Sequence, residues 1–265
     1  MEYALNEVCF PYDDLERNCE LAREAGYDGI EPKMTRERVA DPSLLGAVKD
    51  AANERGLAVP SAAGGPLLGW KHLATPDDEA RAEGVERAVG AIEGIGRHLD
   101  LECLLVVPGE VTADIPYDAA HENTLDSVRE LAAAADAAGF TLGLENVRSD
   151  FLYSPLEFRD FVDEAADAGP VAAYFDAGNA RAVGHPEQWV PILGDRIDRV
   201  HVKGHVRARC EHTYPLQGDV DWAATTAALD ELGFDGWVAP EVSPYESQPD
   251  QTPGQVLANM RAIFE

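Results

Sequence analysis

TLGLENV (141–147), AAYFDAGN (172–179), DRVHVKGH (198–205) and GWVAPEVSP (236–244) decide the fold of this 265-residue chain. Each stretch is a short apolar run that gives way to a loop at a residue able to bind a metal ion. Those residues are Glu145, Asp176, His201 and Glu241, at steps of 31, 25 and 40 positions. Each step is about the length of one strand and one helix, and in a parallel barrel successive strand ends meet around one rim. The sequence therefore predicts that these four residues share one site.

The same alternation of short apolar and longer amphipathic runs extends through the whole chain. The predicted strands are 3–10, 28–32, 57–63, 102–109, 141–147, 171–178, 197–204 and 236–242. The predicted helices are 13–25, 43–55, 77–99, 117–138, 155–168, 221–232 and 252–264, with a shorter one after Pro186. Eight strands followed by helices, in mostly unalternated apolar runs, indicate a parallel α/β architecture. We predict a single (β/α)8 TIM barrel domain over residues 1–265, since barrels of about 250 residues are common.

The structural competitor is an open, doubly wound parallel sheet. Its nucleotide-binding version would carry a glycine-rich turn after the first strand. Here the first predicted strand leads instead into FPYDDLERN (10–18), which has no glycine. The barrel is therefore the better interpretation.

Composition restricts the classes of partner. The chain has 21 Lys and Arg against 49 Asp and Glu, a formal net charge of −28. Such a surface repels phosphate backbones and anionic lipids, so we expect neither nucleic acid nor membrane as a partner. Adaptation to a salty cytoplasm would explain the acidity, because concentrated cations screen self-repulsion. An ordinary acidic protein with a well-solvated surface is the alternative.

The cysteines and the N-terminus suit a cytoplasmic protein. The 4 cysteines are widely spaced and form no C-x-x-C pair, which argues against a zinc ribbon or a disulfide framework. The first residues, MEYALNEVCF, lack the basic start of a signal peptide. No apolar run approaches the roughly 18–20 residues of a membrane span.

The four strand-end residues have ordinary interpretations when each is taken alone. Glu145 could form a rim salt bridge, Asp176 could cap a helix, His201 could be a core histidine, and Glu241 could be a loop-edge glutamate. Together they form an oxygen-rich set that suits Mn²⁺, Mg²⁺ or Co²⁺ better than a structural zinc. We therefore predict one bound divalent ion, with Mn²⁺ favoured.

Beyond this pattern, long stretches of the chain resemble a known family, the xylose-isomerase-like barrel superfamily. Within it they are most similar to the sugar-phosphate isomerase/epimerase branch, which includes L-xylulose-5-phosphate 3-epimerases and ketose 3-epimerases. The resemblance covers nearly the whole chain. The stretches are LLVVPGEV (104–111), LGLENVRSDFLYSPLEF (142–158), YFDAGNARAVGHPEQWV (174–190), RIDRVHVKG (196–204) and LQGDVDWAATTAALDELGFDGWVAPEV (216–242).

The resemblance implies a metal-dependent isomerase that acts on a small sugar or sugar phosphate. It places the ion on Glu145, Asp176, His201 and Glu241, and it makes the two glutamates the acid/base pair that moves a proton at C3 of a ketose. Aldose–ketose isomerisation (including that of hydroxypyruvate), dehydration of a keto-inositol and non-catalytic sugar binding are the alternatives. Related barrels often associate, so a homo-oligomer is compatible with the resemblance.

Two departures from the family pattern limit what the resemblance implies. Asn179 stands where many relatives have histidine, and no D-x-H pair follows His201. Both features argue against the multi-metal DNA-repair enzymes of the superfamily. Gly204 follows the HVK triplet where the family often has an acid, which removes one expected partner of Lys203.

Further residues are candidates for substrate binding. Lys203, Arg207 and Arg209 form a locally basic segment after the seventh predicted strand, and barrels frequently bind phosphate near strands seven and eight. We predict that Lys203, with Arg207 or Arg209, binds a phosphate or carboxylate of the substrate; pairing with surface acids is the alternative. The weaker candidates are Glu31, at the end of the second strand, and Trp70 and His72, in the loop after the third. A rim ion pair with Lys33 is an equally good interpretation of Glu31, and simple loop packing is the safer interpretation of Trp70 and His72.

Overall fold

The structure is a computed structural model that describes residues 1–65 and 70–265, with the side chains of Trp70 and Lys71 outside the description. The strands are β1 (Glu2–Asn6), β2 (Gly29–Glu31), β3 (Ser61–Ala63), β4 (Cys103–Val106), β5 (Thr141–Glu145), β6 (Val171–Asp176), β7 (Ile197–Val202), β8 (Gly204–Val206), β9 (Glu211–Thr213) and β10 (Trp237–Pro240). The α-helices of the described residues are α1 (Leu15–Ala25), α2 (Arg36–Ala40), α3 (Pro42–Glu54), α4 (Trp70–Ala74), α5 (Asp78–His98), α6 (Tyr117–Ala138), α7 (Pro155–Ala166), α8 (Ala177–Val183), α9 (Pro186–Leu193), α10 (Trp222–Leu232) and α11 (Gln251–Phe264).

Eight strands form one parallel sheet that curls into a barrel. Their order is β2-β1-β10-β7-β6-β5-β4-β3, so the strand nearest the N-terminus pairs with the one nearest the C-terminus. The two outer strands meet through the parallel bridges Gly29–Ala58 and Lys33–Ala63. The ring confirms the predicted TIM barrel, and it brings the carboxyl ends of all eight strands to one rim.

The helices begin where the sequence places cap residues and pack their apolar faces on the barrel. Ser154 accepts a hydrogen bond from the backbone N–H of Glu157 at 3.2 Å, which satisfies a free donor at the start of α7. Phe158 and Phe161 on the same helix are buried, and burial of such side chains contributes roughly 1.5–3 kcal/mol each. No helix of the described residues is long and apolar enough to cross a membrane.

The structure differs from the predicted elements where side chains cap the backbone. β1 ends at Asn6 instead of Phe10, because Asn6 Oδ1 accepts from the backbone N–H of Val8 at 2.8 Å and starts a 3₁₀ turn. β6 ends at Asp176, which caps α8.

An unpredicted antiparallel hairpin follows β7, in which β8 and β9 pair His205 with His212. Gly204 opens this hairpin, and a Cβ there would lie 2.1 Å from the backbone oxygen of Gln217. The position therefore has no room for the acid that the family often carries, and the hairpin lies at the rim of the barrel.

Candidate active site

The structure brings the four predicted metal ligands together on four neighbouring strands. In ring order, β5 ends in Glu145, β6 in Asp176 and β7 carries His201, while Glu241 directly follows β10. One ligand atom from each residue lies within 4.8 Å of all the others. Asp176 and His201 are also direct register partners in the sheet. The cluster is a potential divalent-ion site in which the two glutamates occupy the ends of the arc.

The two carboxylate oxygens of Asp176 have different partners. Oδ1 accepts from the backbone N–H of Asn179 at 2.6 Å and so caps α8, as the simpler interpretation of this residue expected. Oδ2 is buried without a hydrogen bond, although Lys203 Nζ lies 3.0 Å away. A buried oxygen without a hydrogen bond is costly unless something else compensates it. The donor set and this free oxygen fit a metal ion.

The carboxylate of Glu31, which does not belong to the cluster, orients His201. His201 Nε2 lies 2.8 Å from Glu31 Oε1, while His201 Nδ1 lies 3.3 Å from Glu145 Oε1 and 3.9 Å from Asp176 Oδ2. A carboxylate only accepts, so Nε2 carries a proton, and Nδ1 is the nitrogen that faces the other cluster residues. Metal-binding histidines commonly have such a carboxylate partner.

Glu31 is fully buried and, besides His201, contacts donors from three other strands. Asn6 Nδ2 donates to Oε1; Ser61 Oγ, at 2.6 Å, and the Tyr174 hydroxyl donate to Oε2. Burial alone would raise the pKa of Glu31, but His201, followed by these donors, holds it below its usual range. Glu31 was predicted to contact substrate. The structure places it behind His201 instead, outside the lining of the cavity.

Lys203 is the cation closest to the cluster. It is 6% exposed, donates from Nζ to Glu241 Oε2 and lies 3.0 Å from Asp176 Oδ2. Burial disfavours its charge, but Asp176, Glu241 and Glu145 raise its pKa above the ordinary lysine value. Gly178 permits this approach, because a Cβ there would lie 2.5 Å from Lys203 Cγ.

The carboxyl groups of the cluster titrate differently. Burial and then the charge of Glu241 raise the pKa of Glu145 to about 7. Burial also raises the pKa of Asp176. For Glu241, burial is outweighed by Lys203 and His201, which lower its pKa. Crowded carboxylates of this kind become fully ionised when a divalent ion supplies positive charge.

The cluster opens into a cavity of about 340 Å³. Glu145, His201, Lys203 and Glu241 line it, and so does Asn179, whose Nδ2 lies 3.4 Å from Glu145 Oε1. A larger depression, of about 730 Å³, lies between α1 and α11 and contains none of the cluster residues.

Sequence reasoning did not find two of the residues that line the cavity, Arg148 and His212. Arg148 lies three residues after Glu145, in the loop that follows β5, and its distance from the strand end was the available signal. His212 comes from the unpredicted hairpin, so no sequence pattern placed it at the rim.

The other predicted substrate contacts lie elsewhere. Arg207 and Arg209 form an exposed turn between β8 and β9, where Arg209 Nε lies 2.8 Å from Glu211 Oε2. Neither arginine lines the described cavity. His72 is exposed on α4 and lies against Gly84 of α5. The side chain of Trp70 lies outside the described residues.

Comparison with known proteins identifies the family. The family model for xylose isomerase-like TIM barrels matches residues 19–263. The chain belongs to this family. No curated protein sequence is significantly similar to the chain.

Solved structures, among them two sugar epimerases, share the fold of this xylose isomerase-like barrel. D-psicose 3-epimerase from Clostridium cellulolyticum H10, solved with D-tagatose, has 17% sequence identity and a TM-score of 0.82, with 100% of both chains covered. The 3-keto-D-glucoside 4-epimerase YcjR from E. coli has 21% identity and a TM-score of 0.79, with 99% of each chain covered. The IOLI protein, solved with a zinc atom, has 18% identity and a TM-score of 0.81, with 100% of this chain and 98% of the other covered.

Proposed function

We propose that this protein is a divalent-metal-dependent epimerase that inverts C3 of a ketose or ketose phosphate. The observation that most directly supports this proposal is the arc of four potential ligands. Its two ends are Glu145, from β5, and Glu241, from the end of β10, and both line the same cavity. A substrate in that cavity would have one carboxylate at each end of the arc. Epimerisation needs this arrangement, because a proton leaves one face of C3 and another arrives on the opposite face.

The proposed roles follow from the positions of the residues. Glu145, Asp176, His201 and Glu241 would hold the ion, with Mn²⁺ favoured over Mg²⁺ or Co²⁺. A bound divalent ion would act as a Lewis acid and stabilise the negative charge that develops when the proton leaves. One glutamate takes the proton from C3 while the other returns one, and the configuration at C3 decides which does which. Asp176 and His201 serve as ligands only.

Aldose–ketose isomerisation is the nearest alternative, because the same pair of carboxylates could move a proton between C1 and C2. Dehydration of a keto-inositol would use the same proton removal followed by loss of hydroxide. A sugar-binding barrel without catalysis would use the cavity and the ion but move no proton. Proton exchange with solvent separates these classes.

The test is incubation of the Mn²⁺-loaded protein in heavy water with a panel of ketoses and ketose phosphates, followed by NMR. Deuterium at C3 is the expected result. Deuterium at C1 would assign isomerisation instead, and a dehydrated product would assign lyase activity. Absence of label and product with every sugar would overturn all three catalytic proposals.

A further inference from the structure

Basic residues outnumber acidic residues among the described residues that line the cavity, although the chain as a whole is strongly acidic. The protein has 49 acidic and 21 basic residues, but the only acids among the described lining residues are the cluster members Glu145 and Glu241. Lys33, Arg148 and Lys203 line the same cavity. In so acidic a protein, three cations around one cavity need an explanation.

A bound ion would leave this cavity with excess positive charge. A divalent ion would reduce the four carboxylate charges of Glu31, Glu145, Asp176 and Glu241 to two negative charges. The three positive charges of Lys33, Arg148 and Lys203 would then exceed them by one. A neutral sugar cannot compensate this excess, whereas a phosphate or carboxylate can.

Arg148 is the cation best placed to meet such a group. Among the described residues no carboxylate lies within 4.0 Å of its guanidinium, and its one hydrogen bond there runs from Nη1 to Cys210 Sγ at 2.9 Å. Its loop is fixed on both sides. Asn146 exchanges hydrogen bonds of 2.9 and 2.8 Å with the backbone of Asp176, and the carbonyl of Ser149 accepts from Val111 at 3.0 Å. The backbone that carries Arg148 is therefore fixed, and its exposed guanidinium lines the cavity without a carboxylate partner among the described residues.

His212 lies near Arg148 and faces the same cavity. Its Nδ1 lies 3.3 Å from His205 Nδ1, and its Nε2 has no hydrogen-bond partner among the described residues. Burial, and then the charges of Lys203 and Arg148, lower the pKa of His212 to about 4. The ring is therefore neutral at neutral pH, mainly because it is buried, and the charges of Lys203 and Arg148 act in the same direction.

We propose that the substrate is an anionic sugar whose phosphate or carboxylate is bound by Arg148, with His212 beside it. The proposal deepens the proposed function and rests on it. It replaces Arg207 and Arg209 as the anion-binding arginines, because Arg209 is paired with Glu211 and neither arginine lines the cavity. Lys203 is the weaker candidate, because its Nζ already donates to Glu241 and lies 3.0 Å from Asp176 Oδ2.

The experiment compares Arg148→Gln with two other variants of the full chain, all loaded with Mn²⁺. Arg23→Gln on the exposed face of α1 removes the same charge far from the cavity and is the matched control. The double variant Arg207→Gln/Arg209→Gln tests the sequence-based choice. The ligands are a neutral ketose, its phosphate monoester and a keto sugar acid, measured at constant ionic strength. Calorimetry gives Kd, and heavy-water exchange gives kcat and KM.

We expect an anionic sugar to bind the wild type at least about tenfold more tightly than the neutral ketose, as charge-assisted hydrogen bonds are the stronger ones. Arg148→Gln should remove most of this preference through Kd and KM, with a small change in kcat, while Arg23→Gln leaves it intact. Tighter binding of the phosphate or of the acid identifies the anionic group. Equal binding of neutral and anionic sugars, or a loss in the double variant but not in Arg148→Gln, would overturn the proposal. Binding that depends on Arg148 without any exchange would leave this inference standing and overturn the catalytic proposal.

Discussion

Glu31 Oε1 lies 2.8 Å from His201 Nε2, behind the face that His201 turns to the other three cluster residues. Both side chains are buried, at 0% and 1% exposure. The pair fixes which imidazole nitrogen is available to an ion, so Glu31 supports the cluster without belonging to it. Glu31 would therefore affect metal binding through His201 and not as a ligand itself.

Replacing Glu31 with glutamine should weaken metal binding. Glutamine keeps the shape but loses the charge that orients His201, and loss of such a partner typically costs about 10–100-fold in metal affinity. Titration calorimetry with Mn²⁺ measures the change. The control is Glu130→Gln on the exposed face of α6. A folded Glu31→Gln protein whose Mn²⁺ affinity lies within about twofold of the wild type would contradict the role assigned to this residue.

Replacing Lys203 with methionine should destabilise the metal-free protein more than the metal-loaded one. Without an ion, Lys203 is the cation that compensates Asp176 and Glu241, and removing one partner of a buried pair costs roughly 3–5 kcal/mol. A bound divalent ion would take over that compensation. Denaturant unfolding with and without Mn²⁺ measures the difference.

The control for Lys203 is Lys49→Met. Lys49 pairs at 2.5 Å with Asp100, which is 89% exposed, so its loss should change the free energy of unfolding by less than about 1 kcal/mol. An equal loss of stability for Lys203→Met in both metal states would contradict the compensation argument.

Replacing Gly178 with alanine should lower both stability and metal affinity. The new Cβ would lie 2.5 Å from Lys203 Cγ and 2.8 Å from its backbone oxygen, so either α8 or the backbone at Lys203 must shift. A Cβ at Gly46 in α3 would have no neighbouring atom within 4 Å, and alanine there should be neutral or stabilise by up to about 1 kcal/mol. Thermal unfolding and Mn²⁺ titration of both variants check this. Equal behaviour of the two would show that the close approach has no consequence.

Metal affinity should increase with pH. Burial raises the pKa of Glu145 to about 7, and the pKa of His201 lies above its usual value because Glu31 and Glu145 outweigh the effect of burial. Below these values each group holds a proton that the ion must displace, so affinity is lost as pH falls. Calorimetry in buffers of different ionisation enthalpy should detect at least one proton released per ion at pH 6. An affinity that is constant from pH 5.5 to 8 would contradict this, provided that the protein stays folded across the range.

The barrel and the four-residue cluster could be predicted from the sequence because both depend on local signals. Apolar runs set the strands, and the residues at their ends reach one rim whatever the side chains between them do. Glu145, Asp176, His201 and Glu241 needed only the correct strand ends to be brought together.

The surroundings of the cluster could not be predicted, because they depend on which side chains face each other across strands. Glu31 looked like a rim residue, and only the barrel shows that Asn6, Ser61 and Tyr174 enclose it. The basic segment around Arg207 was predicted to bind an anionic group of the substrate, and its arginines lie in the exposed turn of a hairpin whose strands are only 3 residues long. Arg148 could not be singled out from the sequence, because what distinguishes it is that no carboxylate of the described residues pairs with its guanidinium.

The most direct test of the account is solvent exchange at C3 by the wild type and two variants. With Mn²⁺ in heavy water, the wild type should introduce deuterium at C3 of a ketose or ketose phosphate and form the C3 epimer, and a chelator should stop both. Glu145→Gln and Glu241→Gln should each reduce exchange by at least about 100-fold. Their Mn²⁺ content is determined in the same samples, so that loss of a proton carrier is distinguished from loss of the ion. Exchange at C3 that survives chelation or persists in either variant would contradict the account.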